Sequence, residues 1–229
     1  MPTIASVTAV IAARNEAATV GGIVSRTIPF CARVLVVDGR STDGTSEEAA
    51  RHGADVVAQG TPMGKGAALR MGLHLVTTPI TVFLDADGSH IPEDIPALVA
   101  PILDDRADHV SASRLIGGSS ELHGGFDEFF RLAGSSFITA CINWRFGVRL
   151  SDSQNGFRAI RTDLARRLQL RENSTTIEQE MIIRTLKAGG RMAEVPSHEH
   201  CRQHGRSHIR IWRAAPRYVF SAARGIFLP

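Results

Sequence analysis

The chain has 229 residues, 43% of them hydrophobic and 21% charged, with a formal net charge of +3. That length buries a substantial core in one large domain, and the composition is that of a soluble globular protein rather than a disordered one. No run reaches the ~20 apolar residues needed to span a bilayer, and the three widely spaced cysteines, Cys31, Cys141 and Cys201, make no disulfide framework and fit a reducing cytoplasm. The apolar stretch Val7 to Ala13 is too short for a secretory signal and runs into Arg14 and Glu16. In chain order, Ser6 to Ala12 is apolar and β-branched, as a strand buried on both faces is. A helix is predicted over Glu16 to Ile28, with Val20, Ile23, Val24 and Ile28 on one side. Arg33 to Asp38 is a second buried strand. Thr45 to His52 is a short helix with Asp43 or Thr45 as its cap and Gly53 as its stop. Asp55 to Ala58, Lys65 to Leu75 and Ile80 to Leu84 continue the alternation as strand, helix and strand. The second half is less regular. His109 to Ser113 reads as a strand, Phe126 to Phe146 as a long helix, and Ser151 to Arg161 as a loop and short strand. Ile177 to Ala188 reads as a helix, Arg191 to Pro196 as a strand, and Ile211 onward as a basic amphipathic stretch with Pro216 near a helix start.

Strands alternating with helices imply right-handed βαβ units, a mostly parallel sheet, and a ligand site beyond the carboxyl ends of its strands. Three motifs fall there. Arg14-Asn15-Glu16 follows the first strand. Asp38 ends the second and opens the run DGRSTDGT, where an acid can accept from a base N–H or a ribose hydroxyl. Asp85-Ala86-Asp87-Gly88 follows the fourth, and two carboxylates at i and i+2 suit Mg²⁺ or Mn²⁺ shared with substrate phosphates. Solvated turn acids and helix caps are the plain reading of the same residues.

The order Arg14-Asn15-Glu16, VVDGRSTDGT, Gly64-Lys65-Gly66 and FLDADGSH resembles glycosyltransferase family 2 with its GT-A fold. That fold is an α/β, Rossmann-like, mostly parallel sheet flanked by helices. The second half is similar to the dolichyl- and polyprenyl-phosphate sugar synthases of that family. The similarity runs through Ser113-Arg114, through Arg131 with Ser135, through DSQNGFR from Asp152, through Glu178-Gln179-Glu180-Met181, and through Glu194-Val195-Pro196 with Arg202 and Arg206. The resemblance implies a GT-A domain over 1–210 and a C-terminal amphipathic extension over 211–229. It places Ala12, Asn15, Glu16, Asp38, Lys65, Asp85 and Ala86 around the nucleotide sugar, with Asp87 and Asp85 on the metal. Arg114, Arg131, Ser135, Arg202 and Arg206 fall near the acceptor phosphate or the diphosphate. Two positions depart from the pattern: Asp38-Gly39 stands where the family usually has Asp-Asp, and Ser89 where its synthases often carry Gln.

The implied reaction is metal-dependent inverting transfer from a nucleoside diphosphate sugar, GDP-mannose or a UDP-hexose. Catalysis falls to Asp87, Asp152, Arg114 and Arg131. A phosphate acceptor is already anionic and needs positioning by arginine rather than a general base. A hydroxyl acceptor would need a base, for which Asp152 is the best placed. After Glu199 there is no acidic residue, while Arg202, Arg206, Arg210, Arg213, Arg217 and Arg224 follow. That asymmetry points to an anionic partner and to a cytoplasmic enzyme peripheral to a membrane face. Other readings are weaker. His198, His200, Cys201, His204 and His208 have zinc-ligand chemistry at no standard spacing. The basic tail alone makes a poor nucleic-acid module. GTPMGKG lacks a P-loop's spacing, and no Gly-x-Gly-x-x-Gly follows the first strand.

Overall fold

The computed structural model describes residues 4–120, 126–202 and 211–228, with side chains throughout except at 4, 126–131 and 211–214. The elements in order are β1 (Val7–Ala13), α1 (Ala17–Thr27), β2 (Arg33–Asp38), α2 (Thr45–Arg51), β3 (Asp55–Ala58), α3 (Lys65–Leu75), β4 (Ile80–Asp85) and α4 (Ile95–Leu103). They continue as β5 (His109–Ser113), α5 (Arg114–Gly117), α6 (Phe126–Phe146), β6 (Arg158–Arg161), α7 (Thr162–Arg167), α8 (Ile177–Lys187), β7 (Met192–Pro196) and α9 (Ile211–Phe227). The strands form a seven-stranded sheet in the order β3-β2-β1-β4-β6-β5-β7. Strand β1 pairs in parallel with both β2 and β4, and β6 runs antiparallel between β4 and β5.

The continuous apolar run of β1 follows from its central position. Ala9 and Ile11 point into one layer, with Val20, Ile23 and Leu98 from α1 and α4. Val10 points into the other, with Leu69, Leu73, Leu164 and Met181 from α3, α7 and α8. Alternate residues of a strand face opposite sides, so only an apolar run satisfies both layers. The parallel registers pair Ala13 with Asp38 and Ala12 with Asp85, which sets the two carboxylates beside the end of β1 at one edge of the sheet. A smaller third cluster joins Ile138 and Ile142 of α6, Ile182 and Ile183 of α8, and Ala222 and Ile226 of α9. The C-terminal stretch therefore buries one face against the domain.

Two local expectations change, and one helix is found that the sequence reading did not predict. Pro216 lies inside α9, not near its start, because the helix begins at Ile211; the missing N–H removes one intrahelical bond there. Helix α4 escapes periodicity because it is apolar throughout and carries Pro96 and Pro101. Helix α2 starts from Gly44 in a left-handed conformation, φ +90°, rather than from a side-chain cap at Asp43 or Thr45. Asp43 nevertheless accepts from the Thr45 amide at 3.1 Å.

The glycines around Lys65 have a packing reason. A Cβ on Gly66 would lie 2.4 Å from the Glu172 carbonyl oxygen and 2.8 Å from that of Ser174, both backbone atoms. Gly64, at φ +121°, is as close to the Asn173 carbonyl. Gly66→Ala is expected to lower stability by about 1–2 kcal/mol, since overpacking costs about 1–3 and helix propensity returns under 1. Gly22→Ala in α1 meets nothing within 4 Å and should be neutral or stabilising by up to about 1 kcal/mol. Urea midpoints of the two variants against wild type check this contrast.

Candidate active site

Two loops at the ends of β1 and β2 are stitched together. Asn15 sits at φ +55°, its amide donates to Ser41 Oγ at 2.8 Å, and its Oδ1 accepts from the Thr42 amide at 3.0 Å. The Glu16 amide donates to Thr45 Oγ1 at 2.9 Å and the Ala17 amide to Asp43 Oδ2 at 3.1 Å. The free amides that begin α1 are thus satisfied by the DGRSTDGT segment, which acts as a cap supplied from a distant part of the chain. Asp38 is buried and turns both oxygens toward Ser41, accepting from its amide at 3.3 and 3.1 Å and from its hydroxyl. The Asp38 carboxylate therefore shapes its own loop, and Asn15 does the same work from the neighbouring one.

The Asp85-Ala86-Asp87 turn is held from three sides. His90, buried and stacked on Phe157 with ring centroids 5.3 Å apart, accepts from the Asp85 amide through Nδ1 at 3.0 Å. Thr19 of α1 donates to the Ala86 carbonyl at 2.6 Å. Ser89 donates to Asp87 Oδ1 from both its amide, at 3.0 Å, and its hydroxyl, at 2.7 Å. Ser89 thus orients the carboxylate. The other Asp87 oxygen, Oδ2, is 2.8 Å from Arg202 Nη2, whose Nη1 reaches Glu16 Oε1 at 3.1 Å. Lys65, from the start of α3, lies 2.7 Å from both Asp85 Oδ1 and Glu178 Oε1. Desolvation raises the Asp85 pKa, but Lys65 and His90 outweigh it and hold the carboxyl at about 2. Burial also raises the Glu16 pKa, with Arg202 opposing and Asp87 adding to the shift. Gly156 leaves room for this cluster, for a Cβ there would be 3.0 Å from Lys65 Nζ and 3.1 Å from Asp85 Oδ2.

These residues fit a divalent cation. Asp87 Oδ2 already draws a guanidinium, and the cleft is crowded with carboxylates. Among the described residues, no group of three or more His, Cys, Asp or Glu side chains converges as a complete cage. Mg²⁺ and Mn²⁺ take one or two carboxylates and complete the sphere with phosphate and water oxygens. Asp87 and Asp85 could supply those carboxylates, and each faces a cation of the chain here, Asp87 Arg202 and Asp85 Lys65. The His198–Cys201 segment has other partners: His198 Nε2 is 2.8 Å from Ser120 Oγ, and Cys201 Sγ donates to the Ser120 carbonyl at 3.3 Å. His204 and His208 lie outside the described residues.

Beyond β5 and before β6 a second cluster forms around Arg114. Its Nε donates to Asp152 Oδ2 at 2.6 Å, its Nη2 to Asp152 Oδ1 at 3.0 Å, and its Nη1 to Glu199 Oε2 at 3.3 Å. Asp152 is buried. Burial alone would raise its pKa, but Arg114 more than compensates, so the carboxyl is held below its ordinary range. Glu194 of β7 fixes the loop by accepting from the amides of Ser151, at 2.7 Å, and Asp152, at 2.9 Å. Helix α6 fixes it through Thr139, whose Oγ1 is 2.8 Å from Ser153 Oγ and donates to the Ser135 carbonyl at 2.9 Å. The half-buried Ser135 is one helical turn from that contact. Gln154 donates to Gln179 Oε1 and Gln179 to the Tyr218 carbonyl, each at 2.9 Å, which ties the loop to α9. Arg158 is fully buried and donates to the carbonyls of Glu178, at 2.7 Å, and Asn155. Arg131 lies on α6, but its side chain, like the whole of Arg206, is outside the described residues.

The structure therefore brings Glu16, Lys65, Asp85, Asp87 and Arg202 into one cluster and places Arg114 with Asp152 in another. Ala12 and Ala86 contribute backbone at the sheet edge. The sequence reading did not find Thr139, a single polar residue in an apolar helix, and it held His90 and Glu194 only as members of the FLDADGSH and Glu194-Val195-Pro196 motifs, with no role assigned. Glu178 and Gln179 were visible only as part of an acidic helix motif. The Lys65–Asp85–Glu178 cluster makes a stability prediction. A lowered carboxyl pKa contributes stability that is complete above about pH 4 and is lost as pH falls toward 2. Lys65→Met leaves two carboxylates without their cation. Since Lys65 and Asp85 remain 22% and 25% exposed, the expected loss at pH 7 is about 2–3 kcal/mol, at or below the lower end of the range for buried pairs. The gap from wild type should shrink between pH 4 and pH 2, as read by denaturant titration across that range.

A family profile described as Glycosyl transferase family 2 matches residues 8–168. An uncharacterized glycosyltransferase of Mycobacterium tuberculosis is 45% identical over 109 residues, 48% of this chain and 49% of that relative, so the match spans about half the relative's length. A dolichyl-phosphate hexose transferase of Haloferax volcanii is 30% identical over 185 residues, 80% of this chain and 77% of that protein. Among solved structures, glucosyl-3-phosphoglycerate synthase of Mycobacterium tuberculosis, crystallised with Mn²⁺, UDP and glucosyl-3-phosphoglycerate, superposes with a TM-score of 0.78 at 24% identity. That superposition covers 98% of this chain and 81% of the synthase. The sheet order, the carboxylates at the strand ends and these similarities agree, and the chain belongs to glycosyl transferase family 2, with the GT-A fold.

Proposed function

We propose that the chain transfers a hexose, with inversion, from a nucleoside diphosphate sugar to a polyprenyl phosphate at the cytoplasmic face of a membrane. The observation that carries the choice of acceptor is the Arg114–Asp152 pair. Asp152 is the best-placed base for a hydroxyl acceptor, yet both its oxygens are held by one guanidinium and its pKa is lowered. A carboxylate in that state is a poor proton acceptor. A phosphate monoester needs none: its second pKa is about 6, so it meets the site as a dianion. One of its oxygens attacks the anomeric carbon, the bond from that carbon to the diphosphate breaks, and the nucleoside diphosphate leaves with the electron pair. No proton moves.

Within this reading Arg114 receives the acceptor phosphate, with Asp152 and Glu199 holding its fork in place and Arg131 and Ser135 completing the site from α6. Arg202 and Arg206 serve the departing diphosphate, Asn15, Glu16, Asp38 and Lys65 bound the nucleotide pocket, and Asp87, with Asp85, would hold Mg²⁺ or Mn²⁺. The cation supplies charge to the leaving diphosphate. Leu115 and Ile116, the residues after Arg114, are 46% and 56% exposed, an apolar exit for a prenyl chain beside the phosphate site. The name of the Haloferax relative supports the same acceptor class, and that of the mycobacterial synthase supports a phosphorylated acceptor of some kind.

The test is nucleoside diphosphate release from GDP-mannose, UDP-glucose and UDP-N-acetylglucosamine, with Mn²⁺ or EDTA, and with a short polyprenyl phosphate, 3-phosphoglycerate or no acceptor. Release that needs both metal and polyprenyl phosphate is the expected result. Asp87→Ala should reduce it by about 10²-fold or more, the scale of losing one transition-state charge contact. Asp152→Asn should retain activity within about tenfold, because its role is to orient Arg114. A loss of about 10²–10⁴, the scale of a missing general base, would return the choice to a hydroxyl acceptor.

A further inference from the structure

Helices α6 and α9 pack side by side through their buried isoleucines, and each turns an apolar stripe outward. On α6 the stripe is Ala133, Phe137, Ala140 and Trp144, with Phe137 64% and Trp144 78% exposed. On α9, Val219, Phe220 and Phe227 are 51%, 69% and 67% exposed. The spacing is that of one helical face. Along one flank of the α9 stripe lies an open hollow of about 420 Å³, lined by Arg171, Glu172, Asn173, Ser174, Arg217 and Arg224. Its one acid is already used, since Glu172 accepts from Arg224 at 3.2 Å, Ser221 at 3.0 Å and Thr176 at 2.6 Å. Arg171 and Arg217 have no acidic partner among the described residues. The hollow therefore holds uncompensated positive charge beside exposed aromatic side chains.

We propose that this face docks on an anionic lipid surface, with a phospholipid headgroup phosphate in the hollow of Arg171, Arg217 and Arg224 and the aromatic stripes of α6 and α9 in the headgroup–acyl boundary. Charge selects this occupant over a second copy of the chain. A two-fold contact sets the same patch against itself, and here that would bring together two patches of like net positive charge with Glu172 already committed. An anionic bilayer supplies the missing charge and takes up the aromatics at once. The site is separate from the Arg114 and Asp87 clusters. It extends the lipid-acceptor reading, yet vesicles free of polyprenyl phosphate test it alone, so binding and lipid transfer can fail independently.

The experiment is flotation of the full chain with phosphatidylcholine vesicles, with and without phosphatidylglycerol, at low and high salt. Wild type should partition at least tenfold more to the anionic vesicles and be released by salt. Arg171→Gln with Arg217→Gln should weaken partitioning by about 25-fold, from about fivefold per cation at an anionic surface (about 1 kcal/mol). Phe220→Ser should weaken it by about tenfold or more. All three positions are exposed, and unchanged turnover of a short-chain acceptor in solution confirms that the variants fold. Equal binding to neutral vesicles, or undiminished binding by the arginine variant, overturns the proposal. So does a wild type that ignores vesicles but sediments as a dimer that Phe220→Ser dissociates. Glycerol 3-phosphate in solution bound as tightly as vesicles would also overturn it, by making the hollow a free-phosphate site.

Discussion

Carboxylates drawn below the surface at the end of a parallel sheet must be neutralised, and the ammonium of Lys65 between Asp85 and Glu178 does this for the centre of the cleft. Glu178 is almost fully buried on α8, and apart from the Lys65 contact neither of its oxygens is hydrogen-bonded. Without a cation it would carry the desolvation cost of an isolated buried charge. The constraint reaches outward from there. Lys65 must begin a helix that enters the site, so the chain before and after it must pass under the 172–174 backbone, and that passage requires Gly64 and Gly66. On the far side of the cluster Gly156 leaves the space a side chain would fill. A glycine-lysine-glycine sequence that looks at first like a phosphate loop is thus explained by how closely one backbone passes another.

Arg202 does a similar service at the outer end, bridging Asp87 and Glu16. The two cations differ in what they leave available. Lys65 is enclosed by acids on both sides and has a raised pKa, with Asp85 and Glu178 outweighing its burial. Arg202 comes from the segment after β7 and spans the mouth of the cleft. A donor diphosphate brought in with its own divalent ion would exchange one set of charge pairs for another at that position. Lys65 would stay in place.

The fold was legible because its first half obeys simple rules: β2, β3 and α3 begin and end where apolar patterning places them, and the carboxylates fall at the strand ends that parallel topology makes the binding edge. Strand β6 was legible only in part. The reading of Ser151 to Arg161 as a loop and short strand holds, but nothing in the composition shows that the strand is antiparallel between β4 and β5 or that it begins at a buried arginine. Helix α4 was hidden by its uniform apolarity and two prolines. In the site, types of residue were readable but their partners were not. Asp38 and Asn15 have the chemistry to meet a nucleotide, and the structure spends much of it on bracing loops, Asp38 its own and Asn15 the neighbouring one. Ser89 looks like a weak substitute for a ligand, and it is a brace for Asp87. Such roles depend on which groups need satisfying, which is settled within two or three residues for Asp38 and Ser89 but across more than twenty for Asn15.

The Arg114 cluster is built from even more distant pieces: the start of α5 supplies the arginine, the segment before β6 supplies Asp152, β7 supplies Glu194, and the segment after β7 supplies Glu199. The loop carrying Asp152 is also held by α6 through Thr139 and by α8 through Gln179, whose amide then reaches the Tyr218 carbonyl on α9. Tyr218 in turn donates from its hydroxyl to Thr175, at the edge of the loop that lines the arginine hollow. The two helices that turn aromatic stripes outward are therefore both tied to the loop carrying Asp152, α6 through Thr139 and α9 through Gln179 of α8. A surface that fixed α6 and α9 would also fix that loop, and through it the fork of Arg114, with only packed side chains and hydrogen bonds in between.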